Sequence, residues 1–492
     1  MVFGQPGKVY LKRYEKKVSG PYEHCYYDRC SFSVHWLYML LKKMDITISL
    51  FLMGILLMIV AILTGNGIAM KGFVSTGIPW LDPIQAVVNS FKSGLNSYGF
   101  TILILGGYTA YMSQIGANNA TVHLLTKPLK KIRSPYILVP VVFLAGNLLS
   151  LVVPSASNLA IILLATLYPV LREAGMSTLT AAGVIATTAT VMPTPLGSDN
   201  VAIAGELAKS AQYAGMTSTE YVFRYHAIVS IPTLLFMALI HYFWQKSRDK
   251  RLSTAERAED KAEITQAKGI TGGPLYKVVY GLLPLLPIII LLIIFAMNSI
   301  AKTKINLSVE SVSLISFVIA VICEVIRNRN GKAALDGAGK FFSGMGNAMP
   351  IVALTVAATV FVTGLSSIGL IRALNTSMTG MRGTGMGFVL PLIMVGFTAL
   401  IVLLSGSGTS VFFAMVPLML SLAQAAGISV FAISVPMGLA GNLLRAVSPV
   451  SAVVMIVAGS VKKSPIEIVK RTSVPMIAGT VFMFILSVIV FL

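Results

Sequence analysis

Apolar stretches of about 17 to 25 residues recur along nearly the whole chain, the length an α-helix needs to cross about 30 Å of hydrocarbon. Two of these runs are interrupted by small polar side chains and glycine, at Val153-Pro154-Ser155-Ala156-Ser157-Asn158 and at Ser405-Gly406-Ser407-Gly408-Thr409-Ser410. With 55% hydrophobic and 11% charged residues and a mean hydropathy of +0.81, the chain carries more apolar surface than a soluble core would bury. Alternating strands of about ten residues are absent, which argues against a β-barrel. The expectation is an all-α polytopic membrane protein.

The formal charge of +20 would point to nucleic acid in a soluble protein. Here the basic residues cluster between spans, where they set orientation, so no nucleic-acid partner is expected. Cys25, Cys30 and Cys323 have no metal-ligand or disulfide spacing.

Residues 1–43 are polar and are read as an N-terminal extension, either a dispensable cytoplasmic segment or the product of an upstream start codon and not native. Spans follow at about 46–64 and 98–115, and Lys42 and Lys43 before the first put the N-terminus in the cytoplasm. Residues 136–173 contain the first interruption, whose second arm, 159–171, has 13 residues. That is about 20 Å of helix, too short to cross, so a re-entrant hairpin fits better than two spans. A helix starting near Ser177 is broken at residues 192–200 by Pro193, Pro195 and Gly197, and another span runs to Trp244. The charged stretch 246–275 is a cytoplasmic linker between the halves 44–245 and 276–492. The second half places spans at about 280–297, 312–325 and 350–367, then a hairpin at about 388–425. A span from about 430 is broken at 445–451 and ends at Lys462, Lys463, Lys470 and Arg471; the last span reaches Leu492, outside the cytoplasm. This gives about nine full spans plus two hairpins.

The halves repeat. Ala174-Gly175-Met176-Ser177 and Ala426-Gly427-Ile428-Ser429 stand 252 residues apart, and that offset places Ser155 on Ser407 and Ser157 on Thr409. Thr194-Pro195 and Ser448-Pro449 correspond at 254. One extra span near Tyr280 turns the second copy upside down. Two inverted repeats, each with a hairpin and a broken helix, point to a secondary transporter with its site at the midplane. The LAGNLL sequence at 144–149 and 439–444 falls outside this register and is assigned no role.

The second arm of each hairpin starts at its tip, so its unsatisfied N–H groups and positive dipole end face the midplane, where an anion is favoured. Ser155, Ser157 and Asn158 at one tip, and Ser407, Gly408, Thr409 and Ser410 at the other, are candidates to hold a small organic anion. Thr194, Ser198, Asn200 and Ser448 add two more helix starts, with Thr194-Pro195 and Ser448-Pro449 read as cap-then-proline pairs. The alternative is that these side chains only cap their own helices. Arg445 would contact a carboxylate, pair with Asp199, or snorkel. Asp199 is a candidate for a coupling ion, H+ or Na+. No phosphate-binding loop, metal site or cofactor motif appears, no histidine lies at a break, and Ser407 has no base beside it, so an enzyme is not expected. A channel or sensor is the alternative from a different class.

Residues 154–159 (PSASNL), 192–200 (MPTPLGSDN) and 407–418 (SGTSVFFAMVPL) resemble the bacterial anaerobic dicarboxylate carriers of the DcuC type, and the similarity covers about 44–492. The resemblance implies a homodimer in the inner membrane with a scaffold and an elevator-like transport domain. It also implies exchange, uptake or efflux of four-carbon dicarboxylates such as succinate, fumarate and malate. Related carriers move citrate or short fatty acids. Sodium-coupled relatives carry Ser-Asn-Thr at each tip; here the triplets are Ser157-Asn158-Leu159 and Gly408-Thr409-Ser410, which leaves proton coupling or simple exchange open.

Overall fold

A computed structural model describes residues 45–492 except 128, 130, 131, 133, 154, 191, 192, 252–272, 371 and 374–386, and describes only the backbone of 274 and 409–411. The extension 1–43, most of the linker, Pro154, Met192 and the side chains of Thr409 and Ser410 therefore lie outside the described residues. Among those described, every regular element is helical.

In chain order the α-helices of the first half are α1 (Ile46–Leu63), α2 (Asp82–Gly94), α3 (Phe100–Gln114), α4 (Ala117–Thr126), α5 (Pro135–Leu149), α6 (Ala156–Thr166), α7 (Tyr168–Glu173), α8 (Thr178–Ala186), α9 (Ser198–Leu207), α10 (Ser218–Tyr221) and α11 (Ala227–Lys250). The second half continues with α12 (Pro274–Leu282), α13 (Leu286–Ile300), α14 (Val309–Asn328), α15 (Gly331–Ala338), α16 (Lys340–Ser367), α17 (Val389–Ser405), α18 (Thr409–Met415), α19 (Met419–Ala426), α20 (Phe431–Leu444), α21 (Ala452–Ser460) and α22 (Pro465–Phe491). Seven stretches among the described residues are long and apolar enough to cross a membrane. The other two spans of the sequence count correspond to the 15-residue α3, lengthened by a π-helical turn at Leu95–Gly99, and to the broken pair α8 and α9. All four long hairpin pieces, Pro135–Leu149, Ala156–Thr166, Val389–Ser405 and Phe412–Ala426, are shorter apolar helices.

A slab of helices is organised on α16. Gly54 and Gly364 bring α1 and α16 together: a Cβ at either would fall 2.7 Å from backbone atoms of the other helix. Gly106 and Ala110 of α3 interlock with Gly344 and Ala348 of α16, again at distances that leave no room for a larger residue. Lipid gives helices no hydrophobic reason to associate, so small residues four apart that permit close backbone approach supply it instead. The helix begins at Lys340, not at Pro350 as its proline implied. Pro350 sits inside it.

Val352, Val356 and Val360 of α16 belong to the slab's core, with Ile102 and Leu105 of α3. Leu354, Ala357 and Ala358 of the same helix face a second, larger core formed by the hairpins and broken helices. In that core, α5 packs on α8 and α17 on α20 within each half. Across halves, α6 packs on α21 while α18 packs on α9, and the closing helices α11 and α22 meet each other. Near the end of α11 a buried ion pair, Arg471 Nη1 to Asp249 Oδ1 at 2.7 Å, ties α22 to α11, and Ser177 and Thr180 hydroxyls donate to the same carboxylate oxygen. Arg471 is thus a buried tie and not part of an exposed basic run.

Candidate functional site

The first break starts earlier than its prolines indicate. α8 ends at Ala186, and the described residues from Thr187 to Gly197 are irregular. Asn147 of α5 holds this segment: its Oδ1 accepts from the Thr190 backbone N and hydroxyl, both at 2.9 Å. Gly146 beside it is required, since a Cβ there would lie 2.1 Å from Thr188 Cγ2. Ala189 takes a left-handed φ of 63°, which costs a non-glycine residue about 1–2 kcal/mol.

That conformation presents the Ala189 carbonyl to Arg445, whose Nη2 donates to it at 2.8 Å. Arg445 follows α20 at the second break, a 3-10 turn over Arg445–Val447. Asp199, in the first turn of α9, accepts from Asn442 Nδ2 at 3.0 Å and from the Asn200 backbone at 2.9 Å. Arg445 and Asp199 line one cavity of about 370 Å³ without forming an ion pair.

Tip one contributes Ser155 and Ser157 to that cavity, the first break contributes Thr194, Ser198 and Asn200, and tip two contributes Gly408. Asn158 points elsewhere, into an adjoining crevice of about 380 Å³ against α3 and α16 that shares Ser155, Thr194 and Ser198 with the first. Ser407 and Ser448 do not line either cavity. The Ser407 backbone N donates to Ser405 Oγ at 3.2 Å, and Ser448 Oγ donates to the Leu403 carbonyl at 3.1 Å, binding the second break to its own hairpin. Thr409 and Ser410 are described only as the start of α18.

The caps also differ from the sequence reading. Ser155 is the N-cap of α6, accepting from Asn158 N at 3.4 Å, so Ser157 and Asn158 lie inside the first turn. Gly408 precedes α18 without a side-chain cap. Thr194 and Ser448 are not caps: α9 starts after Gly197 and α21 after Ser451. A turn follows each proline before the helix can begin, so the proline marks the break and not the helix start.

The LAGNLL pair, set aside in the sequence, proves structural in both copies. Gly441 meets Gly408 backbone to backbone, with a Cβ at Gly408 only 2.5 Å from Gly441 Cα, and Asn442 holds Asp199 as Asn147 holds Thr190. Each copy joins a hairpin to a broken helix. In the first half the motif lies on the hairpin and in the second on the broken helix, which is why no single offset aligned it. His226 is a second omission. It ends a π-helical turn at Val222–His226 and lines the cavity although no break lies near it in sequence.

Two hairpins and two broken helices closing on a polar cavity, in a bundle of membrane-length helices, define a polytopic membrane transporter. The fold is similar to the crystal structure of the YdaH transporter of Alcanivorax borkumensis, with a TM-score of 0.65 at 14% identity, covering 90% of this chain and 98% of that one. It is also similar to Neisseria gonorrhoeae MtrF, with a TM-score of 0.60 at 14% identity, covering 90% and 94%. The chain belongs to the DcuC family, the C4-dicarboxylate anaerobic carriers, whose pattern matches residues 31–492. The match begins within the segment 1–43, further toward the N-terminus than the motifs alone implied. Over 447 residues the chain is 35% identical to the anaerobic C4-dicarboxylate transporter DcuC of Escherichia coli K12, covering 91% of this chain and 92% of the relative. Over 434 residues it is 37% identical to the probable anaerobic C4-dicarboxylate transporter DcuC of Vibrio cholerae, covering 88% and 90%. Membership of a carrier family agrees with the expectation that the chain is not an enzyme.

Proposed function

We propose that this protein is a secondary carrier of four-carbon dicarboxylates such as succinate, fumarate and malate across the bacterial inner membrane. The observation that carries the reading is Arg445, half-buried at a helix break, lining the cavity and spending one hydrogen bond on Ala189 among the described residues. A guanidinium has five N–H donors in a planar fork suited to a carboxylate, and the rest of them serve the cavity. Ser155, Ser157 and the first turns of α6 and α9 supply the donors for the second carboxylate.

The exchange of contacts between halves, α6 on α21 and α18 on α9, supports an inverted repeat with a two-fold axis between the hairpins. Separate cores meeting along α16 support an elevator, with the hairpin body moving past a slab that also forms a homodimer, the N-terminus cytoplasmic and the C-terminus periplasmic. One contact across the seam is close enough to lock: a Cβ at Gly205 of α9 would lie 3.1 Å from Tyr98 Cβ. Oxidising a Tyr98→Cys/Gly205→Cys double variant should stop transport, and reduction should restore it; transport that continues while cross-linked would rule the motion out.

The substrate is tested by counterflow in proteoliposomes with mono-, di- and tricarboxylates, with and without sodium and a pH gradient. Movement of succinate but not citrate or butyrate is expected. Absence of any organic-anion movement would sink the carrier reading.

A further inference from the structure

Besides Arg445 the cavity holds two ionisable side chains that the substrate reading does not use, Asp199 and His226. His226 is 3% exposed and lines the cavity, and its Nδ1 has no hydrogen-bond partner among the described residues. Leaving a buried ring nitrogen unpaired is unfavourable, and at the wall of a cavity such a group calls for an explanation. The backbone points the same way, because His226 closes a π-helical turn, a departure from regular helix that gathers at functional sites.

The neighbours of His226 define what it can exchange with. On its own turn, Arg224 is ion-paired to Glu220 at 2.9 Å, and Tyr225 is stacked on Phe431. Tyr221 stands edge-on to the imidazole at 6.4 Å and directs its hydroxyl to Ser434 Oγ at 3.4 Å. α10 offers Glu220 and Tyr221, already named, and α11 carries no ionisable group in its first three turns. α20, packed against the turn, has none from Phe431 to Leu444, and Arg445 follows it. Across the cavity stand Asp199 and Arg445. Among the side chains that line this cavity, His226, Asp199 and Arg445 are therefore the ionisable ones, with Arg445 a fixed cation.

Charge balance then assigns a task. A dicarboxylate dianion beside Arg445 and an ionised Asp199 leaves the loaded site with two net negative charges at mid-membrane, which is costly to move through hydrocarbon. One proton on Asp199 and one on His226 bring it to zero. Resting on the carrier reading, we propose that His226 is a proton-carrying residue of this transporter, taking a proton from water on one side as the dianion binds and returning it to water on the other. The proton passes between water and an imidazole nitrogen, and no other bond changes. His241 is the contrast: also buried and with neither ring nitrogen partnered among the described residues, it lies tilted against Phe143 at 4.8 Å and lines neither cavity.

The test uses the full chain in proteoliposomes, with succinate counterflow at equal pH measured beside uptake driven by an inward pH gradient. In His226→Gln the ratio of gradient-driven uptake to counterflow should fall to one, whatever the change in counterflow itself, while His241→Phe should keep the wild-type ratio. In weakly buffered detergent solution, the wild type should take up more protons on binding succinate than His226→Gln does. Gradient stimulation and proton uptake unchanged in His226→Gln would overturn the proposal. If that variant and His226→Asn both fail to fold, the wild type decides alone: succinate binding without proton uptake overturns it. Wild-type protein that shows no counterflow rejects the carrier reading itself, and this proposal with it.

Discussion

Arg471 and Arg445 both lie inside the helical bundle, and each has an aspartate near it. Around Arg471 the polar groups close on one another: Asp249 at 2.7 Å, Thr180 at 3.2 Å and the Gln245 side chain at 3.4 Å, while Gln245 Nε2 donates to the Arg471 carbonyl at 3.0 Å. None of that set lines either cavity described above. Around Arg445 the groups are held apart: the arginine is anchored to Ala189, Asp199 is anchored to Asn442, and both look onto the same space. A satisfied pair fixes how α8, α11 and α22 sit together, whereas a pair kept open by third parties is built to receive something. The first should therefore answer to stability and the second to transport.

The largest effect is expected at the closed set. Arg471→Met removes the guanidinium that stands 2.7 Å from the buried Asp249 carboxylate and should cost about 3–5 kcal/mol, read as a lower melting temperature of the purified protein. The double variant Arg471→Gln/Asp249→Asn should recover part of it. If Arg471→Met melts with the wild type, the closed set is not the tie described here.

At the open set the order reverses. Arg445→Gln should leave the melting temperature near that of the wild type and weaken succinate binding by about 2–5 kcal/mol, as for loss of one partner of a desolvated charge pair. Calorimetry on purified protein separates the two readouts. Asn442→Ala should do less to binding, and would free Asp199 to turn toward Arg445. A variant of Arg445 that loses stability and keeps affinity would dissolve the distinction between the two sets.

A smaller loss is expected where the hairpin meets the helix that carries the open set. Gly408→Ala forces a Cβ against Gly441 backbone, which cannot swing aside as a side chain would. Overpacking of this kind costs about 1–3 kcal/mol. The same substitution at Gly459 of α21, where nothing lies within 4 Å, should be tolerated, and equal melting of the two variants would remove the packing argument.

Much of this frame was legible in the sequence because hairpins and breaks interrupt apolar runs with proline, glycine and hydroxyl residues, and such interruptions need no partner to be seen. The helix starts were displaced by a few residues, since a proline shows where regular hydrogen bonding stops and not where it resumes. What stayed hidden depends on contacts between distant segments. Asn147 reaches Thr190, and Asn442 reaches Asp199, 243 residues away. Their shared LAGN sequence was visible, but its two copies occupy different elements. Arg471 stood in a basic run and was read with it, because burial cannot be seen from a neighbour's charge. His226 is ordinary in sequence and enters the cavity only through the packing of its helix.

The smallest effect separates capping from recognition at the first tip. Ser155 both caps α6, through Asn158 N at 3.4 Å, and lines the cavity, while Ser157 lines the cavity without that duty. Ser155→Ala should lower stability by about 1 kcal/mol, the usual value of an N-cap, together with a loss of succinate affinity. Ser157→Ala removes one hydrogen-bond donor from the cavity and should weaken succinate by about 0.5–1.5 kcal/mol with no change in melting temperature. Asn158→Ala touches only the adjoining crevice, so its equilibrium affinity should match the wild type. Binding measured at equilibrium for all three distinguishes the roles. If Ser157→Ala binds as the wild type does and Asn158→Ala does not, the substrate sits in the crevice beside α3, and the open set around Arg445 would need another ligand.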